Sequence, residues 1–215
     1  MSRTIAIGDI HGCFDALLRL IDRLNLSGED KLVFLGDYIN RGPDSLSVVR
    51  WLRQQTRQRD WICLRGNHEI MFLEEQVGHW HSGQSSDEDL DQADDEKWTS
   101  GDVDFLRELL PYHETDQHIF VHACVYGDMP MSEQPEYILH WEPFESMTRP
   151  ESSKKVICGH TAQKSGVPLQ NDFAVCIDTN CCRGGWLTGL DVGSGQFFQT
   201  NQDGEVRDGW LDGWL

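Results

Sequence analysis

Thr4-Ile5-Ala6-Ile7-Gly8-Asp9-Ile10-His11-Gly12 is an apolar, β-branched run that stops abruptly on two residues able to bind a metal. The same construction recurs along the chain. Leu32-Val33-Phe34-Leu35-Gly36 runs into Asp37, and Trp61-Ile62-Cys63-Leu64-Arg65-Gly66 runs into Asn67-His68. Ile119-Phe120-Val121 runs into His122, and Val156-Ile157-Cys158-Gly159 runs into His160. Short runs of this kind read as buried strands. In an open α/β sheet, ligands bind outside the carboxyl ends of the strands. Polar residues at those ends therefore converge on one crevice, however distant they are in sequence. Carboxylates, imidazoles and one amide form the inventory of a metal site.

Between these runs the period changes. Phe14, Leu17, Leu18, Ile21 and Leu24 recur at helical spacing, as do Leu46, Val49 and Leu52 after Pro43 and Asp44. Proline near a helix start is favourable. A third helix is expected from His68 to about Val77. The order β-α-β-α-β-α implies parallel strands joined by right-handed crossovers. A short helix carrying Phe105, Leu106, Leu109 and Leu110 is stopped by Pro111. From about Gly127 to Ser153 no strong periodicity is visible. Strands follow at Val156–Cys158, Ala174–Ile177, Leu187–Val192 and Gln196–Gln199, the last two joined by a hairpin at Gly193-Ser194-Gly195. Residues from about 203 to 215 read as a short C-terminal tail.

The 215 residues fit a single domain, 1–215. No apolar run reaches the length of about 18 residues that a membrane span needs, so no membrane partner is expected. The start enters a strand directly, without the apolar stretch of a signal peptide. Seven cysteines, most of them inside apolar runs, suit a reduced cytoplasmic protein. The net charge of −18 argues against nucleic acid, whose binders need a basic patch to displace counterions. It leaves open a small phosphorylated substrate, because bound cations invert the local field. Much of the excess acid lies in a stretch of about 83–104, read as a solvated surface loop or, alternatively, a substrate-selecting flap.

The chemistry follows from the donor set. Asp9 and His11 are close enough in sequence to grip one cation. Asp37 has two carboxylate oxygens and can bridge two. Asn67, His122 and His160 supply an oxygen and two nitrogens for the second. Mixed oxygen and nitrogen ligation suits divalent manganese, iron or zinc. Two such ions about 3.5–4 Å apart can activate a water for in-line attack on phosphorus. Phosphate esters or anhydrides are the substrate class implied. Cys176, Cys181 and Cys182 form a local cluster read as structural. Asp178 is either a support for the site or a turn-stabilising carboxylate.

The blocks Gly8-Asp9-Ile10-His11-Gly12, Gly36-Asp37-Tyr38-Ile39-Asn40-Arg41-Gly42 and Gly66-Asn67-His68-Glu69 resemble the signature blocks of the phosphoprotein phosphatase family of calcineurin-like metallophosphoesterases. Val121-His122-Ala123 and Gly159-His160-Thr161 resemble its two later histidine blocks. The resemblance implies an α/β sandwich of two mixed β-sheets flanked by helices. It implies a dinuclear centre, manganese first and iron or zinc otherwise, with Asp9, His11, Asp37, Asn67, His122 and His160 as ligands. A metal-bridging hydroxide would then attack a phosphomonoester directly. His68 resembles the acid that protonates the leaving oxygen, and Arg41 the arginine that holds the phosphate. Arg149 is the only arginine available between the last two histidine blocks for a second phosphate contact. Asn40 departs from the family's usual aspartate beside the catalytic histidine, which implies a less basic His68. A serine/threonine-type protein phosphatase acting on a phosphorylated protein or small phosphoester is the first expectation. Symmetrical dinucleoside-tetraphosphate hydrolases, which also depart from aspartate at the Asn40 position, are the alternative. A non-catalytic, metal-bound scaffold that binds phosphate is the second.

Overall fold

The structure, a computed structural model, describes residues 2–82 and 97–214. Strands β1 (Thr4–Ile7), β2 (Lys31–Phe34) and β3 (Ile62–Cys63) lie parallel and alternate with helices α1 (Phe14–Arg23) and α2 (Ser45–Thr56). Helix α3 (Asn67–Ser82) follows, giving the β-α-β-α-β-α order that the spacing predicts. Helix α2 starts where the Asp44 carboxylate accepts from the Ser47 amide, directly after Pro43. Helix α4 (Ser100–Arg107) and strands β4 (Tyr112–Glu114) and β5 (His118–Val121) lead into the second half. There helix α5 (Glu136–Trp141) precedes β6 (Lys155–Cys158), β7 (Leu169–Gln170), β8 (Ala174–Cys176) and β9 (Asp178–Thr179). Strands β10 (Trp186–Asp191), β11 (Gln196–Thr200) and β12 (Val206–Trp210) complete the order.

Two mixed sheets result. The first runs β12-β11-β10-β1-β2-β3, with β9 pairing β10, and the second runs β4-β5-β6-β8-β7. Alternation along each strand decides which layer a side chain joins. Ile5 and Ile7 pack with Leu17, Leu20 and Val49 of the helices outside the first sheet. Ala6, between them, faces Phe120, Ile157 and Val175 of the second sheet. The outer face of the second sheet is covered by α5 and its neighbours, through Ile138, Leu139 and Phe144. The architecture is therefore helix, sheet, sheet, helix, the sandwich the sequence implies. Each fully buried Ile, Leu or Phe contributes roughly 1.5–3 kcal/mol.

Several elements differ from expectation. Residues 100–104 are helical rather than part of an acidic loop: Thr99 and Asp102 form a reciprocal capping box at the start of α4. Asp102 is fully buried and paired with Arg53 at 2.8 Å, so that end of the acidic stretch is a structural clamp. Residues 83–96 of the stretch lie outside the described residues. The expected tail contains β12, an edge strand paired along β11. Beyond it Trp214 is buried, its indole N–H donating to the Val192 carbonyl at 2.9 Å. Edge strands bury little of either face, so β12 lacks the apolar alternation that would have marked it.

The two sheet-forming ends of β1 and β2 are pinned by Asp30. This buried carboxylate accepts from the amides of Arg3 and Ser27, at 2.8 and 3.0 Å, and from the Arg3 guanidinium at 2.6 Å. The Arg3 guanidinium and these amides hold its carboxyl well below the usual carboxylate range. The resulting stability is fully present above about pH 4 and is lost as pH falls through the depressed value. Asp30→Asn is expected to cost about 1.5–3 kcal/mol at neutral pH. Urea denaturation across pH 7 to 2 should show that difference shrinking on the acid side. A constant difference would contradict it.

Candidate metal centre

Every expected strand-end residue emerges at one edge of the sandwich. Asp37 stands at the middle of the group, two residues past Leu35, with its backbone in the left-handed region at φ 53°. Its two oxygens point different ways. Oδ2 lies 3.4 Å from His11 Nε2, whereas Oδ1 lies 3.5 Å from His122 Nε2 and accepts the His68 amide at 3.0 Å. This approach requires glycine at Gly66, where a Cβ would overlap Asp37 Oδ1. Two groups share Asp37: His11, Asp37 and His68 form one, and Asp37, His122 and His160 form the other. Within each, ligand atoms lie within 4.8 Å of one another.

The orientation of each imidazole is set from behind. His122 Nδ1 faces the Leu35 carbonyl at 2.9 Å, and His160 Nε2 faces the Trp141 carbonyl at 3.1 Å. Burial pushes both imidazoles down, so they are neutral and those nitrogens carry the proton. Their other nitrogens then present lone pairs to Asn67 Oδ1, at 3.0 and 3.1 Å. Lone pairs from two imidazoles, one amide oxygen and Asp37 thus face one another with no proton between them. His11 repeats the pattern: Nδ1 faces the Ile39 carbonyl at 2.9 Å and Nε2 accepts from Arg41. Convergent acceptors, met only by the Arg41 guanidinium and the His68 amide, fit a cation.

The carboxylates agree. Burial, then Asp178 and Asp37, pushes the Asp9 carboxyl up; burial, then Glu69, does the same to Asp37. Buried like charges of this kind cost several kcal/mol unless a cation offsets them. Asp9 is turned toward the amide of His160, at 3.1 Å, and lies outside both of the tightest groups. Asp178 faces Asp9 closely enough for its charge to push that carboxyl up, and it accepts the Asn180 amide at 2.9 Å. The Asn180 contact is the turn-stabilising role among its two sequence readings.

His68 rests with its ring edge-on to His11, centroids 4.7 Å apart. Its Nδ1 is 2.9 Å from Asn40 Oδ1, and its buried Nε2 has no partner among the described residues. Burial, Arg41 and His160 bring the ring down to about 4, so it is neutral near pH 7 until an anion docks beside it.

Arg149 is not brought to this cluster. Its guanidinium lies over the Phe173 ring at 5.0 Å and 3.5 Å from Asp172, at the entry end of β8, whereas His160 follows the exit end of the parallel β6. The loop in which it sits is anchored there by the Gly127–Glu151 backbone hydrogen bond. Arg183 is a further cation whose charge reaches the cluster and which sequence reasoning did not single out. It closes a one-turn helix, Cys181–Arg183, whose buried Cys181 shares a core cluster with Cys13, two residues past His11, and its charge helps to lower the His11 imidazole.

Glu69 was also given no role in the sequence reading. It is fully buried, and it accepts the amides of Asp37, Tyr38, Ile39 and Gly66 at 2.8–3.3 Å. One carboxylate thereby ties the loop after β2 to the start of α3. The signal was its place three residues after Gly66, where an acidic side chain reaches back to the first free amide of a helix.

An acceptor-lined cluster at the carboxyl ends of parallel strands, with a guanidinium at its rim, belongs to a metal-dependent hydrolase of phosphoesters. The calcineurin-like phosphoesterase profile matches residues 2–164, and the chain belongs to that family. It is 29% identical to a symmetrical bis(5'-nucleosyl)-tetraphosphatase of Chromobacterium violaceum, over 90% of this chain and 93% of that protein. It is 30% identical to PrpE, an asymmetrical bis(5'-nucleosyl)-tetraphosphatase of Anoxybacillus flavithermus, over 86% and 88%. Among solved structures, one provisionally described as a diadenosine tetraphosphatase superposes with a TM-score of 0.68 at 21% identity, covering 99% of this chain and 95% of the other.

Proposed function

We propose that the chain hydrolyses the phosphoanhydride chain of dinucleoside tetraphosphates, symmetrically, with two divalent cations bound at the Asp37 cluster. The observation that carries this reading is the split of Asp37, one oxygen toward His11 and the other toward His122. Asp9, His11 and Asp37 would hold one ion, and Asp37, Asn67, His122 and His160 the other. Manganese is the first choice, with iron or zinc also suited to such a donor set. When bound, the ions would supply an activated water and neutralise charge on the phosphate. The relatives named above favour this substrate over the phosphorylated protein expected first from sequence.

The side chains divide the remaining work. Arg41 binds the non-bridging phosphate oxygens, and Arg183 is the nearer candidate than Arg149 for a second cation. His68 Nε2, without another partner among the described residues, delivers a proton to the leaving oxygen. Asn40 fixes the ring by accepting from Nδ1. Replacing Asn40 by Asp adds a negative charge at that contact and raises the His68 pKa, so the protonated acid persists to higher pH. The basic limb of the pH–rate profile in Asn40→Asp should move up by about one unit, with more turnover near neutral pH. An unchanged profile would contradict this role.

Product analysis tests the substrate. Diadenosine tetraphosphate should yield ADP alone. ATP plus AMP would point to asymmetrical cleavage, and turnover of a phosphopeptide with none of the tetraphosphate would overturn the reading.

A further inference from the structure

Helix α5 carries two solvent-exposed aromatic residues, and its last carbonyl meets the cluster. Tyr137 is 57% exposed and Trp141 39%, and with Trp210 on the far edge strand they are the aromatic members of the exposed large hydrophobics among the described residues. Four residues apart on a helix, Tyr137 and Trp141 lie on one face. The opposite face is anchored: Ile138 and Leu139 are buried, and their carbonyls accept the amides of Cys124 and Ala123, the two residues after His122. The Trp141 carbonyl meets His160 Nε2 at 3.1 Å. The helix is thus tied to the strands carrying both histidines, and the Tyr137 hydroxyl is held by the Glu142 carboxylate. A rigid aromatic ledge adjoins the place where phosphate would bind.

We propose that the Tyr137–Trp141 face of α5 is a nucleobase subsite, stacking the base of a nucleotide whose phosphates lie at the Asp37 cluster. A purine suits the ledge because base and indole are both flat, and such stacking is tolerant of base identity. Continuity with His160 selects a nucleotide over a free apolar ligand. The phosphate half of this inference rests on the reading given above; the base half does not.

The test compares ADP with methyl diphosphate as inhibitors of p-nitrophenyl phosphate hydrolysis by the metal-loaded full chain. Both carry a diphosphate, so the ratio of their inhibition constants reports the nucleoside alone. Wild type should favour ADP by about tenfold, the scale of one stacked base. Trp141→Ala should bring the ratio close to one, Trp141→Phe should keep most of it, and Tyr137→Ala should lose part. The ratio is read within each protein, so altered metal content or turnover cancels. If Trp141→Ala melts early, Tyr137→Ala and Trp141→Phe carry the comparison. No ADP preference in wild type, or a preference untouched by these variants, overturns the subsite. An ADP preference without turnover of diadenosine tetraphosphate keeps the subsite and sinks only the substrate reading.

Discussion

Asp37→Asn is expected to lose both cations and to cut turnover by about a thousandfold or more, the several kcal/mol that a metal clamp supplies. The reason is the divided geometry of this one carboxylate, with Oδ2 beside His11 and Oδ1 beside His122. An amide keeps one oxygen but no charge, so neither neighbour gains a full ligand. The metal-free protein should behave in the opposite sense. Burial and Glu69 push the Asp37 carboxyl up, so its ionisation costs stability above the unfolded value of about 4. Metal-free Asp37→Asn should therefore melt no lower than metal-free wild type at pH 7. Metal analysis and thermal melts of both proteins, with and without manganese, check the pair of statements. A variant that keeps two ions would contradict the shared-ligand geometry.

His68→Asn is expected to lower kcat by about 10²–10⁴-fold while both ions are retained, the usual contribution of a positioned general acid. The ring lies in the first group beside His11 and Asp37, but Asn40 holds its Nδ1 and its Nε2 has no partner among the described residues. The deficit should depend on the leaving group. Phenyl phosphate, whose leaving oxygen needs the proton, should lose more than p-nitrophenyl phosphate. Equal losses on the two esters, or loss of a metal, would assign His68 to the ligand set.

How much of this was legible in the sequence follows from how each part is built. The central strands announced themselves because buried parallel strands are continuous apolar runs, and each ended on its functional side chain. Asp37, Asn67, His122 and His160 converge because β2 and β3 of the first sheet and β5 and β6 of the second end at the same edge of the sandwich. Arg149 was selected on sequence interval alone, and its guanidinium lies over Phe173 and beside Asp172. Arg183 sits in a one-turn helix with left-handed residues at Asn180 and Gly184, a shape no periodicity reveals. The two-residue strands β7 and β9 are too short for an alternation to register. Helix α5, between Pro135 and Pro143, has barely two turns, so its exposed aromatics looked like loop residues. Glu69 was visible as part of a motif, but its grip on separate loop amides exists only in three dimensions.

The most direct test is a manganese titration of the metal-free protein followed by electron paramagnetic resonance. Two ions per chain, about 3.5–4 Å apart and sharing one carboxylate, should give an exchange-coupled signal that disappears in Asp37→Asn. A single ion at saturation, or two that remain magnetically independent, would contradict the account.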